Sequence, residues 1–167
     1  MYVLAAIEHA TRRIRILGAI EHPVERWTLQ QARNLLMDLE DAGTRMKFVL
    51  HDRDASYSCT FDAVFEAAGV RVIRSAVRAP RMNSIMERWI GSCRRELLDR
   101  TLVWNTRHLM TVLREYEIHY NNHRPHRALG QAAPLRPLPP NVIDLDQFRV
   151  RRLDRLGGVL DEYEQVA

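Results

Sequence analysis

Between residues 47 and 74 the chain alternates strand, helix and strand, and this alternation constrains the fold more than any other feature. Lys47–Leu50 (KFVL) is a short apolar strand that runs straight into His51-Asp-Arg-Asp54. Phe61, Val64, Phe65 and Ala68 have helical spacing and stop at Gly69, and Val70–Arg74 is again strand-like. Two strands joined by a helical crossover must run parallel, because the helix carries the chain back to the end of the sheet where it started. The domain is therefore α/β.

The flanking sequence is consistent with that class. Tyr2–Ile7 (YVLAAI) is a continuous apolar run, and Ile14–Ile20 (IRILGAI) follows as a second, antiparallel strand. Thr28-Leu-Gln-Gln31 fits a capping box, which predicts a helix opening at Thr28 and running through Leu29, Ala32, Leu35, Leu36 and Leu39 to Ala42-Gly43. Ile85, Met86, Trp89, Ile90, Cys93 and Leu97 form the apolar face of a long helix. Leu109, Val112, Leu113, Tyr116 and Tyr120 form that of another, ending before His123-Arg-Pro-His126. Residues 130–141 are proline-rich and read as a linker between a core, 1–129, and a basic tail, 142–167, with a hairpin around Gly157-Gly158.

Lys+Arg 25 against Asp+Glu 21 leaves a net charge of +4. Placement matters more than the total. Between Arg71 and Arg100 lie arginines 71, 74, 78, 81, 88, 94, 95 and 100 against only Glu87, Glu96 and Asp99, a stripe suited to a phosphate backbone. Arg149, Arg151, Arg152 and Arg155 form a second basic cluster. The longest apolar run, Tyr2–Ile7, is far short of the roughly 18 residues a membrane span needs. With no basic-then-apolar leader before it, a cytoplasmic location and no membrane partner are expected. Cys59 and Cys93 are too far apart for a CxxC site and read as small core residues, and the three tryptophans read as packing.

Two acids stand out. Asp52 lies just past the carboxyl end of KFVL, where open α/β sheets place functional groups. Glu87 sits in the first turns of the long helix, at the edge of its apolar stripe, with Gly91 and Arg94 on its side. Two carboxylates meeting at a strand end can hold Mg²⁺ or Mn²⁺, hard ions that prefer oxygen. Singly, each has a plain structural reading, as a turn residue and as an acid favoured by the helix dipole. A rival metal-hydrolase reading uses His119, His123 and His126, the first two at i, i+4, although no HExxH pattern accompanies them.

Three segments carry a resemblance to a known family. HDRDASY, RAPRMNSIMERW and EYEIHYNNHRPHRAL resemble, in order, words of the catalytic core of the Asp-Asp-Glu recombinases, the retroviral-type integrases and bacterial insertion-sequence transposases. The resemblance maps the family's second catalytic Asp to Asp52 and its Glu to Glu87, with Asn83 four residues before it. It implies a ribonuclease-H-like mixed sheet with flanking helices. It also implies two-metal phosphoryl transfer, with Mg²⁺ or Mn²⁺ ions about 4 Å apart in a complete site. The implied partners are mobile-element ends and target DNA, and further copies of the chain in a homo-multimer. Arg78, Arg81, Arg94 and Arg95 are expected on DNA phosphates, together with Asn83 at the DNA.

The resemblance leaves the family's first catalytic Asp without a counterpart, since that acid precedes the strand YVLAAI resembles. The expectation is therefore an N-terminally truncated core, lacking its first strand and inactive by itself. The non-catalytic alternative is a DNA-binding or multimerising remnant of a transposase.

Overall fold

The structure is a computed structural model that describes residues 1–76, 80–138 and 149–166. Its strands pair two by two: β1 (Tyr2–Ile7) with β2 (Ile14–Ile20), β3 (Phe48–His51) with β4 (Arg71–Arg74), and β5 (Arg149–Arg155) with β6 (Leu160–Val166). The turn between β1 and β2 closes where the Glu8 N–H donates to Arg13 O at 2.8 Å. The described residues fall into two compact units, Met1–Ala5 with Leu17–Glu87, and Ala6–Ile16 with Arg88–Ala167.

In the first unit β3 and β4 are parallel, as the strand–helix–strand order requires, with Phe48 opposite Arg71 and His51 opposite Arg74. The crossover helix α2 (Cys59–Ala67) opens on Ser58, whose hydroxyl accepts the Phe61 N–H, and is followed by Gly69 at φ 73, a conformation suited to glycine. Helix α1 (Glu25–Asp41) departs from the capping-box expectation, since it begins three residues early. Thr28 is buried inside it and donates its hydroxyl back to Val24 O, as an interior helix threonine does, so it caps nothing. Ala32, Leu35 and Leu39 are buried along α1, as are Phe61 and Phe65 along α2. A Cβ on Gly18 would stand 3.0 Å from the Trp27 ring, so glycine there lets that ring lie against β2.

In the second unit the part of α3 (Ser84–Glu96) from Arg88 onward contributes Trp89 and Cys93, and α4 (Thr106–Asn122) contributes Leu109, Val112, Leu113, Tyr116 and Tyr120. Asn105 caps α4, its Oδ1 accepting the His108 N–H at 2.8 Å. The Asn121 side chain brackets the backbone of Ile14, accepting from its N–H and donating to its C=O, both at 2.9 Å. Arg124 makes a forked pair with Glu96, which also accepts the Tyr116 hydroxyl at 2.9 Å. β5 and β6 form the expected antiparallel hairpin, with Leu160 and Glu162 buried.

Two packing expectations need correction. Cys93 is buried, which pushes its thiol up to about 12, but Cys59 is exposed at the first residue of α2. Trp104 is 74% exposed, with its ring against His108. No helix among the described residues is long and apolar enough to cross a membrane.

Candidate active site at the end of strand β3

Strand β3 ends on buried His51, and the chain emerges at Asp52, which is exposed. The exit is pinned from two directions. Ser75 N–H donates to His51 O at 2.9 Å, and Arg53 Nε donates to Ser75 O at 3.0 Å, tying the ends of β3 and β4 together. Asp54 N–H donates to Asp52 Oδ1 at 3.2 Å, and Ser56 N–H donates to Asp54 Oδ1 at 2.8 Å, two successive Asx turns. Hydrogen bonds from Ser56, its side chain first and then its backbone, hold the Asp54 carboxyl below the usual range. Asp52 is exposed and forms no ion pair among the described residues.

Beneath Asp52 is a buried network that sequence reasoning missed. His51 Nε2 is 2.8 Å from Asp62 Oδ1, and Arg74 Nε donates to Asp62 Oδ2 at 2.7 Å, with Nη2 of the same arginine also on that oxygen. Asp62 is 5% exposed and His51 6%, against the Tyr57 and Phe61 rings. Burial first, and then Tyr2, push the Tyr57 hydroxyl upward. The one available sequence signal was Asp62 itself, a carboxylate between Phe61 and Val64 in a short apolar helix.

His51, Asp52, Arg53, Asp54, Tyr57 and Arg74 line a cavity of about 170 Å³. That is too small to enclose a drug-sized ligand, which needs roughly 300 Å³ or more.

The other expected residues are placed as follows. Glu87 is exposed in the first turn of α3 and is not among the cavity's lining residues. Arg81 and Asn83 belong to the 3-10 turn Pro80–Asn83 that leads into α3. Arg94 and Arg95 are exposed in its last turn and form no ion pair among the described residues. Arg95 Nη1 would be 3.2 Å from a Cβ on Gly91, so glycine leaves room for that guanidinium along the helix. Arg78 lies outside the described residues.

No group of three His, Cys, Asp or Glu side chains among the described residues converges as a metal site. Mg²⁺ commonly takes one or two carboxylates and completes its shell with substrate phosphates and water, so carboxylates at an open mouth suit it without a protein cage. The three histidines do not form a donor set. His119 and His123 face Glu162 at 3.8 and 3.6 Å, while His126 packs on the Tyr120 ring.

The tail differs from its sequence reading. Arg151 pairs with Glu164, Arg152 with Asp154 and Asp161, and Arg155 with Glu162 and Glu115, so three of the four hairpin arginines are already matched by acids.

Residues 68–134 match the Integrase core domain family. The match contains Asn83, Glu87, Arg94 and Arg95 and stops short of Asp52. Among solved structures, the catalytic core domain of BIV integrase superposes with a TM-score of 0.54 at 14% identity, covering 79% of this chain and 81% of that one. A chain of the simian T-cell lymphotropic virus intasome in complex with PP2A regulatory subunit B56 gamma superposes with a TM-score of 0.56 at 13% identity. That match covers 96% of this chain and 59% of the other. No curated protein matches the sequence. The fold is the α/β, ribonuclease-H-like fold of integrase catalytic cores.

Proposed function

We propose that this chain is the core of a DNA integrase or transposase, acting by phosphoryl transfer on mobile-element ends and target DNA. The observation that carries the reading is the integrase-core match over residues 68–134, in a chain with integrase fold that leaves β3 at an exposed Asp52. Asp52 and Glu87 are the catalytic carboxylates and would hold Mg²⁺ or Mn²⁺, which when bound activates the attacking oxygen and stabilises the leaving one. The attacking group is water in donor cleavage and a DNA 3′-hydroxyl in strand transfer. Either oxygen forms a new bond to phosphorus as the opposite P–O bond breaks, with the proton leaving to solvent.

The protein's part is positioning and charge. The Asx turns after β3 set the Asp52 carboxylate at the mouth of the cavity. Arg94 and Arg95, and on sequence grounds Arg78 and Arg81, offer guanidinium groups to phosphates, while Asn83 donates or accepts at the DNA. The working form is a homo-multimer, each copy contributing one such site.

Strand transfer on element-end DNA with Mn²⁺ tests this. It is to be run on the 167-residue chain and on a version extended by the codons immediately upstream of Met1. Transfer by either version that is abolished by Asp52→Asn and by Glu87→Gln bears the reading out. Transfer that survives both substitutions removes these two residues from the chemistry. Salt-sensitive DNA binding without transfer in either version supports the non-catalytic remnant instead.

A further inference from the structure

We infer that His51 is a positioning residue for Asp52, acting through the backbone and anchored from behind by Asp62 and Arg74. The inference rests on the reading of Asp52 as a catalytic acid. His51 Nδ1 lies 2.6 Å from the carbonyl oxygen of Asp52, its immediate neighbour in sequence. A carbonyl can only accept, so Nδ1 donates in this contact, as Nε2 does toward the Asp62 carboxylate. The ring thereby reaches around its own backbone to hold the peptide that carries the candidate acid.

A histidine free to rotate could not do this, but the His51 ring is held on every side. Its other nitrogen, Nε2, is hydrogen-bonded to Asp62 Oδ1 at 2.8 Å. Asp62 is in turn fixed by the forked Arg74 contact, and Arg74 faces His51 directly in the β3–β4 register. Tyr57 and Phe61 close over the ring, with centroids 4.8 and 5.6 Å away. The chain of contacts therefore runs from β4, through α2, to the first residue beyond β3. It converts the rigidity of a parallel strand pair into a fixed direction for an exposed side chain. Such support behind a catalytic group matters because small misplacements are costly, and loss of outer partners at metal sites typically lowers affinity or activity about 10- to 100-fold.

Two substitutions separate positioning from packing. In His51→Asn the side-chain amide nitrogen stands near the place of Nδ1 and can still donate to the Asp52 carbonyl. In His51→Gln the amide reaches toward the place of Nε2, keeping the link to Asp62 and losing the carbonyl. Measured by NMR on the full chain, His51→Asn, which keeps the carbonyl donor and loses the Asp62 anchor, is expected to keep the Asp52 carbonyl shift near wild type and to loosen residues 52–54 slightly. His51→Gln is expected to move the shift and to loosen the same residues further. A packing role alone would disturb the two variants alike, and that result would overturn the inference.

Arg74→Lys guards against misfolding of the buried variants, because it leaves a cation beside buried Asp62 while removing the fork, at a side chain that is 52% exposed. It should loosen residues 52–54 in the same direction by less, and an unchanged Asp52 signal there would also overturn the inference. Where strand transfer is measurable, His51→Gln should lower kcat about 10- to 100-fold with KM for DNA unchanged, and His51→Asn should stay within about threefold. Absence of strand transfer in every version would count against the proposed function alone, since the NMR comparison needs neither DNA nor turnover.

Discussion

The strand end beneath Asp52 and the hairpin packed on α4 are built from the same three kinds of side chain, and they differ in almost every consequence. At the first, His51 and Arg74 converge on buried Asp62 at hydrogen-bonding distance. At the second, His119 and His123 stand 3.8 and 3.6 Å from buried Glu162, beyond good hydrogen bonds, and among the described residues Arg155 alone donates to it, at 3.0 Å. His119 Nδ1 and Glu162 Oε1 are both buried without a hydrogen-bond partner. A hydrogen bond is steep in distance, whereas charge attraction is not. The first arrangement therefore locks a geometry, and the second sets two helix histidines beside a hairpin acid without locking them, leaving two polar atoms unsatisfied.

The largest effect should come from Asp62→Ala. It leaves a buried histidine and one arginine fork without their shared acceptor, and should cost about 3–5 kcal/mol in denaturant unfolding. Glu162→Gln should cost less, about 1–3 kcal/mol, because one Glu162 oxygen is already unsatisfied and the arginine it releases can turn to water. If the two substitutions cost the same, the contrast between locked and loosely held acids fails.

Acid should distinguish the regions further. Burial is the main cause lowering the His119 pKa below 6.5, against the pull of Glu162, and burial likewise lowers that of His126. Between those lowered values and 6.5 the unfolded chain binds more protons than the folded one. The resulting stability is present above pH 6.5 and is lost as pH falls through the folded values. Protection factors in β5, β6 and α4 should fall on acidification through that range, and an equal fall in β3 and β4 would break the comparison.

The smallest effects concern the arginines. Arg94→Ala or Arg95→Ala should each reduce the slope of log affinity against log salt for DNA by about 0.9, the value of one phosphate contact. Arg152→Ala, which removes a cation already held by Asp154 and Asp161, should leave the slope unchanged. An equal change at Arg152 would return the hairpin to the DNA-binding surface that its sequence suggested.

Local patterns made much of this legible. Tyr2–Ile7 and Ile14–Ile20 read correctly as strands because a run of apolar residues of that length has few other uses, and Gly69 marked the end of α2 because only glycine takes its backbone angle cheaply. Thr28 misled because a capping box resembles any helix-interior Thr-x-x-Gln, and only the burial of Thr28 against the core decides between them. Lys47–Leu50 was one residue out of place because β3 is bounded by its partner. His51 is in the strand because Arg74 lies opposite.

Chain order alone was enough to place Asp52 beyond a strand end and Glu87 in the first turn of an amphipathic helix, since both positions follow from neighbours only a few residues away. Which carboxylates are buried, and which cations they meet, was decided by the folded structure. Asp62 reaches His51 and Arg74 across 11 and 12 residues through strand register, and Glu162 meets His119 and His123 through the docking of a hairpin on a helix. The +4 charge shows the same division. Its arginines can be counted in the sequence, but whether each is spent on an acid or left for a phosphate depends on distances of a few ångströms, and only folding sets those.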